Sequence, residues 1–187
     1  FPASASGMTV KFVGTSNLEN LITINTDNGK IQKISKKSFQ ANKLRKIRKN
    51  DILISLVGNT LGKTSIVTKN LDCYASSNLV VVRPNRIRTE YLLSVLNSKK
   101  TQRTLSKLST GTAQKRLHYY PFREHVEIPL PSDSEQLKVV KKFNVLANKI
   151  TSLNLELEKA KKELDNFEIK WVKKENLKLV RKELMLH

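Results

Sequence analysis

The apolar positions of this chain follow two patterns that meet near Pro131. On the C-terminal side, Val139, Phe143, Leu146, Ile150, Leu153, Leu157, Ala160, Leu164, Phe167 and Trp171 recur at alternating spacings of four and three. A mean period of about 3.5 puts them on one stripe of a helix, and a narrow stripe this long is the seam of a coiled coil. Neither Gly nor Pro follows Pro131, and Ser134-Glu135-Gln136 supplies the capping chemistry of a helix start. At about 1.5 Å per residue the seam is roughly 50 Å long, and it calls for a partner helix. Before Pro131 the apolar runs are short and bounded by turn residues. Val10–Val13, Asp51–Val57, Thr64–Thr68, Leu79–Val82 and Val126–Leu130 read as strands, and Leu21–Asn25 reads as strand or loop. Glu90–Leu108 has helical spacing through Tyr91, Val95, Leu96, Leu105 and Leu108. Gly14–Asn17, Asp27-Asn28-Gly29, Lys49-Asn50-Asp51, Gly58–Lys63, Ser76–Asn78 and Ser109–Ala113 carry turn chemistry. The expectation is an α+β protein: a β-rich domain over 1–133, then a long coiled-coil helix over 134–187.

Charge changes the picture. Lys and Arg number 35 against 16 Asp and Glu in 187 residues, a formal +19. A domain this basic meets a polyanion, with nucleic acid ahead of an anionic membrane or an acidic protein. The excess is uneven: residues 134–187 carry 13 basic and 8 acidic side chains, whereas residues 1–133 carry 22 and 8. The helix is therefore mixed in sign, as a solvated coiled-coil exterior should be, and if nucleic acid binds, it binds the N-terminal domain. Within it, Lys30, Lys33, Lys36, Lys37, Lys43, Arg45, Lys46, Arg48 and Lys49 follow one another without an intervening acid. That run is the first choice for a phosphate-facing surface.

The search for chemistry of its own is negative. Gly58-Asn59-Thr60-Leu61-Gly62-Lys63-Thr64 resembles a phosphate-binding loop, but only three residues separate its glycines and a β-like Ser65-Ile66-Val67 follows. His118, His125 and His187 have no metal-ligand spacing, and the single Cys73 excludes an internal disulfide or a Cys-rich zinc site. Cys73 reads as a small core residue. Asp165, Glu168 and Lys170 echo a nuclease pattern, but on a coiled-coil helix. Glu124 and Glu127 lack partners for acid–base work, and neither a Ser-His-Asp arrangement nor the Asn-Pro-Pro-aromatic motif of amino-methyltransferases is present. The chain reads as non-catalytic, without metal or catalytic residues. No apolar run is long enough for a membrane span and no signal peptide opens the chain, so the expected location is cytoplasmic.

The order of segments resembles a known family. Lys49–Ser55, Gly58, Gly62-Lys63, Ser76-Ser77-Asn78-Leu79 before a Val-rich strand and Arg83-Pro84 are similar to target-recognition domains of Type I restriction-modification specificity subunits. The similarity continues through Tyr91-Leu92-Leu93, Leu96-Asn97-Ser98, Gly111, Gln114, Ile128-Pro129-Leu130-Pro131 and Glu135-Gln136. The resemblance implies a protein that reads double-stranded DNA and binds separate modification (methyltransferase) and restriction subunits. S-adenosylmethionine, ATP and Mg²⁺ would then belong to those partner subunits. Subunits of this family carry two recognition domains and two helices that form an antiparallel coiled-coil spacer. One domain and one helix is half of that, either a half-subunit that homodimerises or a piece of a longer chain, and the Phe1 start leaves both open. A fused methyltransferase-nuclease fragment and a coiled-coil DNA-binding regulator unrelated to modification are the competing readings.

The expected DNA contacts follow from residue chemistry. Lys30, Lys33, Lys36, Lys37, Lys43, Arg45, Arg48 and Lys49 would hold phosphates. Three loops would approach the bases: Asn59, Thr60 and Lys63 in the first, Ser77 and Asn78 in the second, and Thr110, Gly111, Gln114, Lys115 and Arg116 in the third. Asn59, Asn78 and Gln114 offer bidentate amides to adenine, and Lys63, Lys115 or Arg116 can address guanine or phosphate. His118, Tyr119 and Tyr120 could stack on bases or pack, and core packing is the expected role. The dimerisation seam is Val139, Phe143, Leu146, Ile150, Leu153, Leu157, Leu164, Phe167 and Trp171.

Overall fold

The computed structural model describes residues 9–18, 24, 31–35, 44–111 and 114–172, with side chains up to residue 167 on the last helix. Seven strands run β1 (Thr9–Val13), β2 (Gln32–Ser35), β3 (Arg45–Lys46), β4 (Ile52–Ser55), β5 (Thr64–Ile66), β6 (Tyr74–Ala75) and β7 (Leu79–Val82). Four α-helices follow: α1 (Thr89–Leu96), α2 (Lys99–Leu108), α3 (Tyr119–His125) and α4 (Asp133–Val172). Among the described residues the strands form a four-stranded sheet in the order β2-β1-β6-β3 and a three-stranded antiparallel sheet in the order β5-β4-β7. The α+β reading holds.

The apolar run at β4 explains how the layers meet. Ile52 and Ile54 belong with Leu56, Val80, Leu92, Leu93, Leu96 and Leu105 in a core shared with the helices. Leu53, between them, packs instead with Val13, Ile47, Val67, Cys73 and Ala75. A strand's side chains alternate between faces, so a run apolar at every position is the sequence of a strand buried on both sides. Cys73 is a buried core residue, and burial pushes its thiol pKa up.

One bond network fixes the start of β4. Asn50 takes a left-handed conformation (φ 70°), which Asn tolerates better than most residues. The turn presents Asp51, whose side chain is 1% exposed, to both chelating nitrogens of Arg83 at 2.8 Å each. The same carboxylate accepts from the Arg48 N–H at 2.8 Å. β4 is thereby tied to the end of its neighbour β7.

Two sequence expectations need correction. The helical stretch from Glu90 to Leu108 is two helices, broken at Asn97-Ser98. The Asn97 side chain donates to Leu93 O and to Thr64 Oγ1, while Ser98 turns extended and its hydroxyl caps the Thr101 N–H of the new helix. Apolar periodicity survives the break because both helices cover the same core. The expected strand Val126–Leu130 is absent. Pro129 and Pro131 have no N–H to give a ladder, and Pro129 O instead accepts from Tyr91 Oη at 3.2 Å. The helix α3 lies just before that stretch. Its Pro121 is tolerated because it sits in the first turn, where N–H groups have no helical partner anyway.

The chain divides into compact units 1–143 and 144–187, so the first turns of α4 belong to the domain. Glu135 reaches back to the Ser132 N–H (2.9 Å) and hydroxyl (2.6 Å), and both bonds hold its carboxyl below the usual range. Arg88 donates through Nε and Nη2 to Asp133 at 2.7 Å each, which lowers the Asp133 pKa as well. Buried Gln136 accepts from the Arg88 N–H (3.0 Å) and donates to Pro131 O (3.0 Å). Val140 is buried too, and Phe143 packs against the helical core. From Leu146 onward the seam is open to solvent: Leu146, Ile150, Leu153, Leu157, Leu164 and Phe167 are all exposed. Trp171 lies beyond the described side chains. No helix among the described residues is long and apolar enough to cross a membrane.

Candidate nucleic-acid interface

Three of the turns picked out from the sequence converge at one end of the three-stranded sheet. The first is the β4–β5 hairpin loop, 56–63. Ser55 N donates to Lys63 O and Gly62 N to Ser55 O, both at 2.9 Å, closing the hairpin. Gly58 and Gly62 have φ of 59° and 80°, conformations that disfavour any L side chain. A Cβ on Gly62 would also run into the carboxamide of Gln102. Thr60 turns its hydroxyl inward, donating to Val57 O (3.0 Å) and lying 2.8 Å from Ser55 Oγ. Thr60 thus builds the loop, whereas Asn59 beside it is exposed.

The second turn, 76–78, lies against the first because Leu56 N donates to Asn78 O at 3.0 Å. The third loop closes on itself through paired bonds of 2.8 Å between Thr110 and Arg116. It joins the first where Gly58 N donates to Lys115 O (2.7 Å) and Leu117 N to Leu56 O (2.9 Å). Arg116 Nη2 reaches Asn78 Oδ1 at 3.2 Å and ties the third loop to the second. Gly111 (φ 95°) allows the return, since a Cβ there would sit 2.6 Å from Gln114 O. Exposed Asn59, Ser77, Thr110, Gln114, Lys115 and Arg116 therefore share one rim. Lys63, half-buried, lines an open groove of about 540 Å³ beside this rim with Asn59, Thr60, Asn97 and Gln102.

The basic run does not gather there as a block. Lys30, Lys36, Lys37 and Lys43 lie outside the described residues. Lys33 is exposed on β2 in the other sheet. Arg48 and Lys49 precede β4, whereas the three loops follow it, which puts them about 20 Å from the rim at 3.3 Å per strand residue. Lys46 is occupied by Asp72 at 2.8 Å, a hydrogen-bonded pair that raises the lysine pKa and lowers that of the carboxyl. Arg45 is the member that reaches the loops, lining a cleft of about 220 Å³ with Ser76, Ser77 and Tyr119.

Of the two roles open to the aromatic residues at this end, the expected one, core packing, does not hold. Tyr119 and Tyr120 are 45% and 70% exposed, their rings edge to face with centroids 6.1 Å apart, and His118 is exposed as well. Their assignment to the core fails because Leu117 and Phe122 fill the inward positions of this segment. The signal available was the pairing of two tyrosines with flanking His118 and Arg116, polar neighbours that a core segment would lack. Among the described residues, no group of three or more His, Cys, Asp or Glu is placed to hold a metal ion.

The sequence and the fold have relatives. A family model described as Type I restriction modification DNA specificity domain matches residues 5–176. The specificity subunit of the Type I restriction enzyme EcoBI from Escherichia coli is 28% identical over 138 residues, 73% of this chain and 29% of that protein. The crystal structure of the HsdS subunit from Thermoanaerobacter tengcongensis shares the fold, with a TM-score of 0.59 at 18% identity over 86% of this chain and 41% of that one. A chain in a structure on complex assembly and conformational transition of the type I R-M system gives 0.54 at 17% identity, over 89% of this chain and 37% of that one. The chain thus spans about three tenths of the curated relative and about two fifths of the first solved one. With nearly the whole sequence inside the family match, the chain belongs to the family of Type I restriction modification DNA specificity domains.

Proposed function

We propose that this chain reads one half of a bipartite double-stranded DNA target and supplies specificity, without catalysis of its own, to a Type I restriction-modification complex. The observation that carries the reading is the convergence of three loops, cross-linked by backbone bonds and by Arg116–Asn78, into one exposed rim of amide, hydroxyl and cationic groups. Amides and guanidinium groups match the hydrogen-bonding edges of adenine and guanine in the major groove, and a rigid rim limits the ordering cost of binding. Arg45, Lys115 and Arg116 would position the duplex through phosphates, and Asn59, Ser77, Thr110 and Gln114 would read bases. Arg48, Lys49 and Lys33 would take phosphates farther along the duplex.

On this reading the modification and restriction subunits hold S-adenosylmethionine, ATP and Mg²⁺, and the assembly works in the cytoplasm, where its DNA is. The exposed seam of α4 would pair with a second helix, from a second copy or a second half-subunit. It would thereby set the gap between two half-sites, with the reading domain extending past the expected boundary at 133 to residue 143 and the helix beyond it as the spacer. The test is selection of duplexes from a random pool by the full chain, followed by binding across a salt series. The expected result is enrichment of one short motif and steeply salt-dependent affinity, with no methyl transfer when S-adenosylmethionine is added to this chain alone. Methylation by the isolated chain, or the absence of any enriched motif, overturns the reading.

A further inference from the structure

The outward face of α2 (Lys99–Leu108) carries charge in a pattern that solvation does not explain. Thr101 and Leu105 are buried and Leu108 packs on the same core, so they define the inward face. Lys99, Arg103 and Lys107 lie on the other side, four residues apart, and all three are exposed. α2 contains no acidic residue, and no described residue forms an ion pair with any of the three. Lys100 differs, since Glu127 lies 3.8 Å from it. The exposed surface of α4, in contrast, mixes signs, as in its Lys161–Glu158 pair. Lys99 is placed against local preference as well. The first turn of a helix favours acids, because its free N–H groups and macrodipole present positive charge, yet the first turn here has none.

The helix is also held firmly beside the loop rim. Gln102 Nε2 donates to Gly62 O (3.0 Å) and to Leu96 O (2.8 Å), tying α2 to the hairpin loop. At its C-terminal end the chain runs directly into the Thr110–Arg116 loop. A rise of about 1.5 Å per residue spaces the three cations about 6 Å apart and spreads them over about 12 Å. Over that length of duplex axis one DNA strand presents three to four phosphates, at about 3.4 Å each.

We infer that Lys99, Arg103 and Lys107 form a phosphate-contact strip that lies along the backbone of double-stranded DNA whose bases meet the loop rim. The inference rests on the DNA-reading function proposed above. The strip supplies affinity and register, and the rim supplies sequence preference.

The test uses the full chain with Lys99→Gln, Arg103→Gln and Lys107→Gln combined, and a second variant with Lys115→Gln and Arg116→Gln. Glutamine keeps helix propensity and length, so the far-UV spectrum and melting temperature of the strip variant should match the parent. Binding is measured between about 50 and about 200 mM salt, the range over which counterion release is steep. The two probes are a random-sequence duplex and the duplex enriched by the parent chain. The strip variant should lose affinity for both duplexes by the same factor. Its slope of log affinity against log salt should flatten by about 2.7, three contacts at about 0.9 each, with the preference between duplexes retained. An unchanged slope and affinity in the strip variant, with weakened binding in the Lys115/Arg116 variant, overturns the strip and leaves the rim standing. A changed preference at constant slope overturns the phosphate assignment in favour of base contact. A parent chain that binds neither duplex overturns the DNA-reading function itself.

Discussion

Replacing Asp51 by Asn should destabilise the domain by about 2–3 kcal/mol without changing which DNA it prefers. The Asp51 side chain is 1% exposed and accepts three bonds of 2.8 Å, two from Arg83 and one from the Arg48 N–H. Asn has the same shape but one acceptor oxygen, so its amide must face a guanidinium or the N–H as a second donor. Hydrogen bonds to charged groups contribute about 1.5–3 kcal/mol against about 1 for neutral ones. Breaking a buried pair typically costs about 3–5 kcal/mol. The Arg83 side chain is 49% exposed and recovers water when released, which brings the expected loss to the lower end. With a urea slope of about 1–3 kcal/mol/M, the unfolding midpoint of the variant should fall by about 0.7–3 M. Arg83→Met should cost at least as much, because it leaves a buried carboxylate with only the Arg48 N–H.

A double-mutant cycle of the two substitutions should show a coupling of about 1–2 kcal/mol. The network lies at the start of β4 and the three loops at its far end, so the enriched DNA motif should survive in any variant that remains folded. An Asp51→Asn unfolding free energy within about 0.5 kcal/mol of the parent would refute the reasoning. The pair would then behave like a surface ion pair, whose worth is near zero to about 1 kcal/mol.

Gly62→Ala should cost about 1–2 kcal/mol, because φ of 80° strains an L residue and the displaced Gln102 gives up its bonds to Gly62 O and Leu96 O. Chemical denaturation reads the loss, and a neutral result would mean that Gln102 finds equivalent partners. The carboxyls of Asp133 and Glu135 are held below their ordinary values by Arg88 and by Ser132. A depressed folded pKa gives stabilisation that is complete above the unfolded value, about 4, and lost as pH falls through the folded one. Carbon-detected NMR titration should therefore find both groups more than half ionised at their unfolded midpoints, and Arg88→Gln should move Asp133 upward; no movement would sink the assignment. If the seam pairs with a second copy, light scattering at tens of micromolar, roughly the range of modest module affinities, should give twice the chain mass. Leu153→Asp should then return it to one chain, and a monomeric parent would mean that the seam awaits another protein's helix. Adding one heptad between Ile150 and Leu157 should lengthen the gap between half-sites and leave each half-site unchanged.

The parts of the fold that were legible in the sequence are those where a local pattern has one physical solution. The 51–57 run could be a doubly buried strand because it has no polar alternation and strong turns at both ends. Strands β3 and β6 were not legible, since Arg45-Lys46 and Tyr74-Ala75 have no pattern of their own and are strands only through pairing, β6 with β1 and β3 with β6. The break at Asn97-Ser98 was written in capping chemistry but masked by an apolar period that both helices keep. Each loop of the rim could be read from its Gly, Ser and Asn residues. That the loops meet could not, because it depends on β7 lying beside β4 and on the chain returning at Arg116 to pair with Val57.

The helix shows most clearly what a periodic pattern leaves open. A heptad reading assigns Val139 and Phe143 to the partner-facing stripe. In the folded chain Val140 and Gln136 are buried, Val139 is 40% exposed, and Phe143 packs on the domain core. The face that anchors α4 is thus rotated by one residue from the seam, and Phe143 sits where the two faces overlap. A side chain committed to the core cannot also serve as a knob for a partner helix. The stretch free to pair therefore begins at Leu146 and reaches at least Phe167, about 32 Å at 1.5 Å per residue. That is close to one turn of DNA, about 34 Å. The first turns of α4 belong to the domain, so on the proposed spacer role only the remainder would measure distance along the duplex. Insertions before Phe143 should accordingly disrupt the domain, whereas insertions after Ile150, beyond Ala147, the last buried position among the described residues, should alter spacing alone.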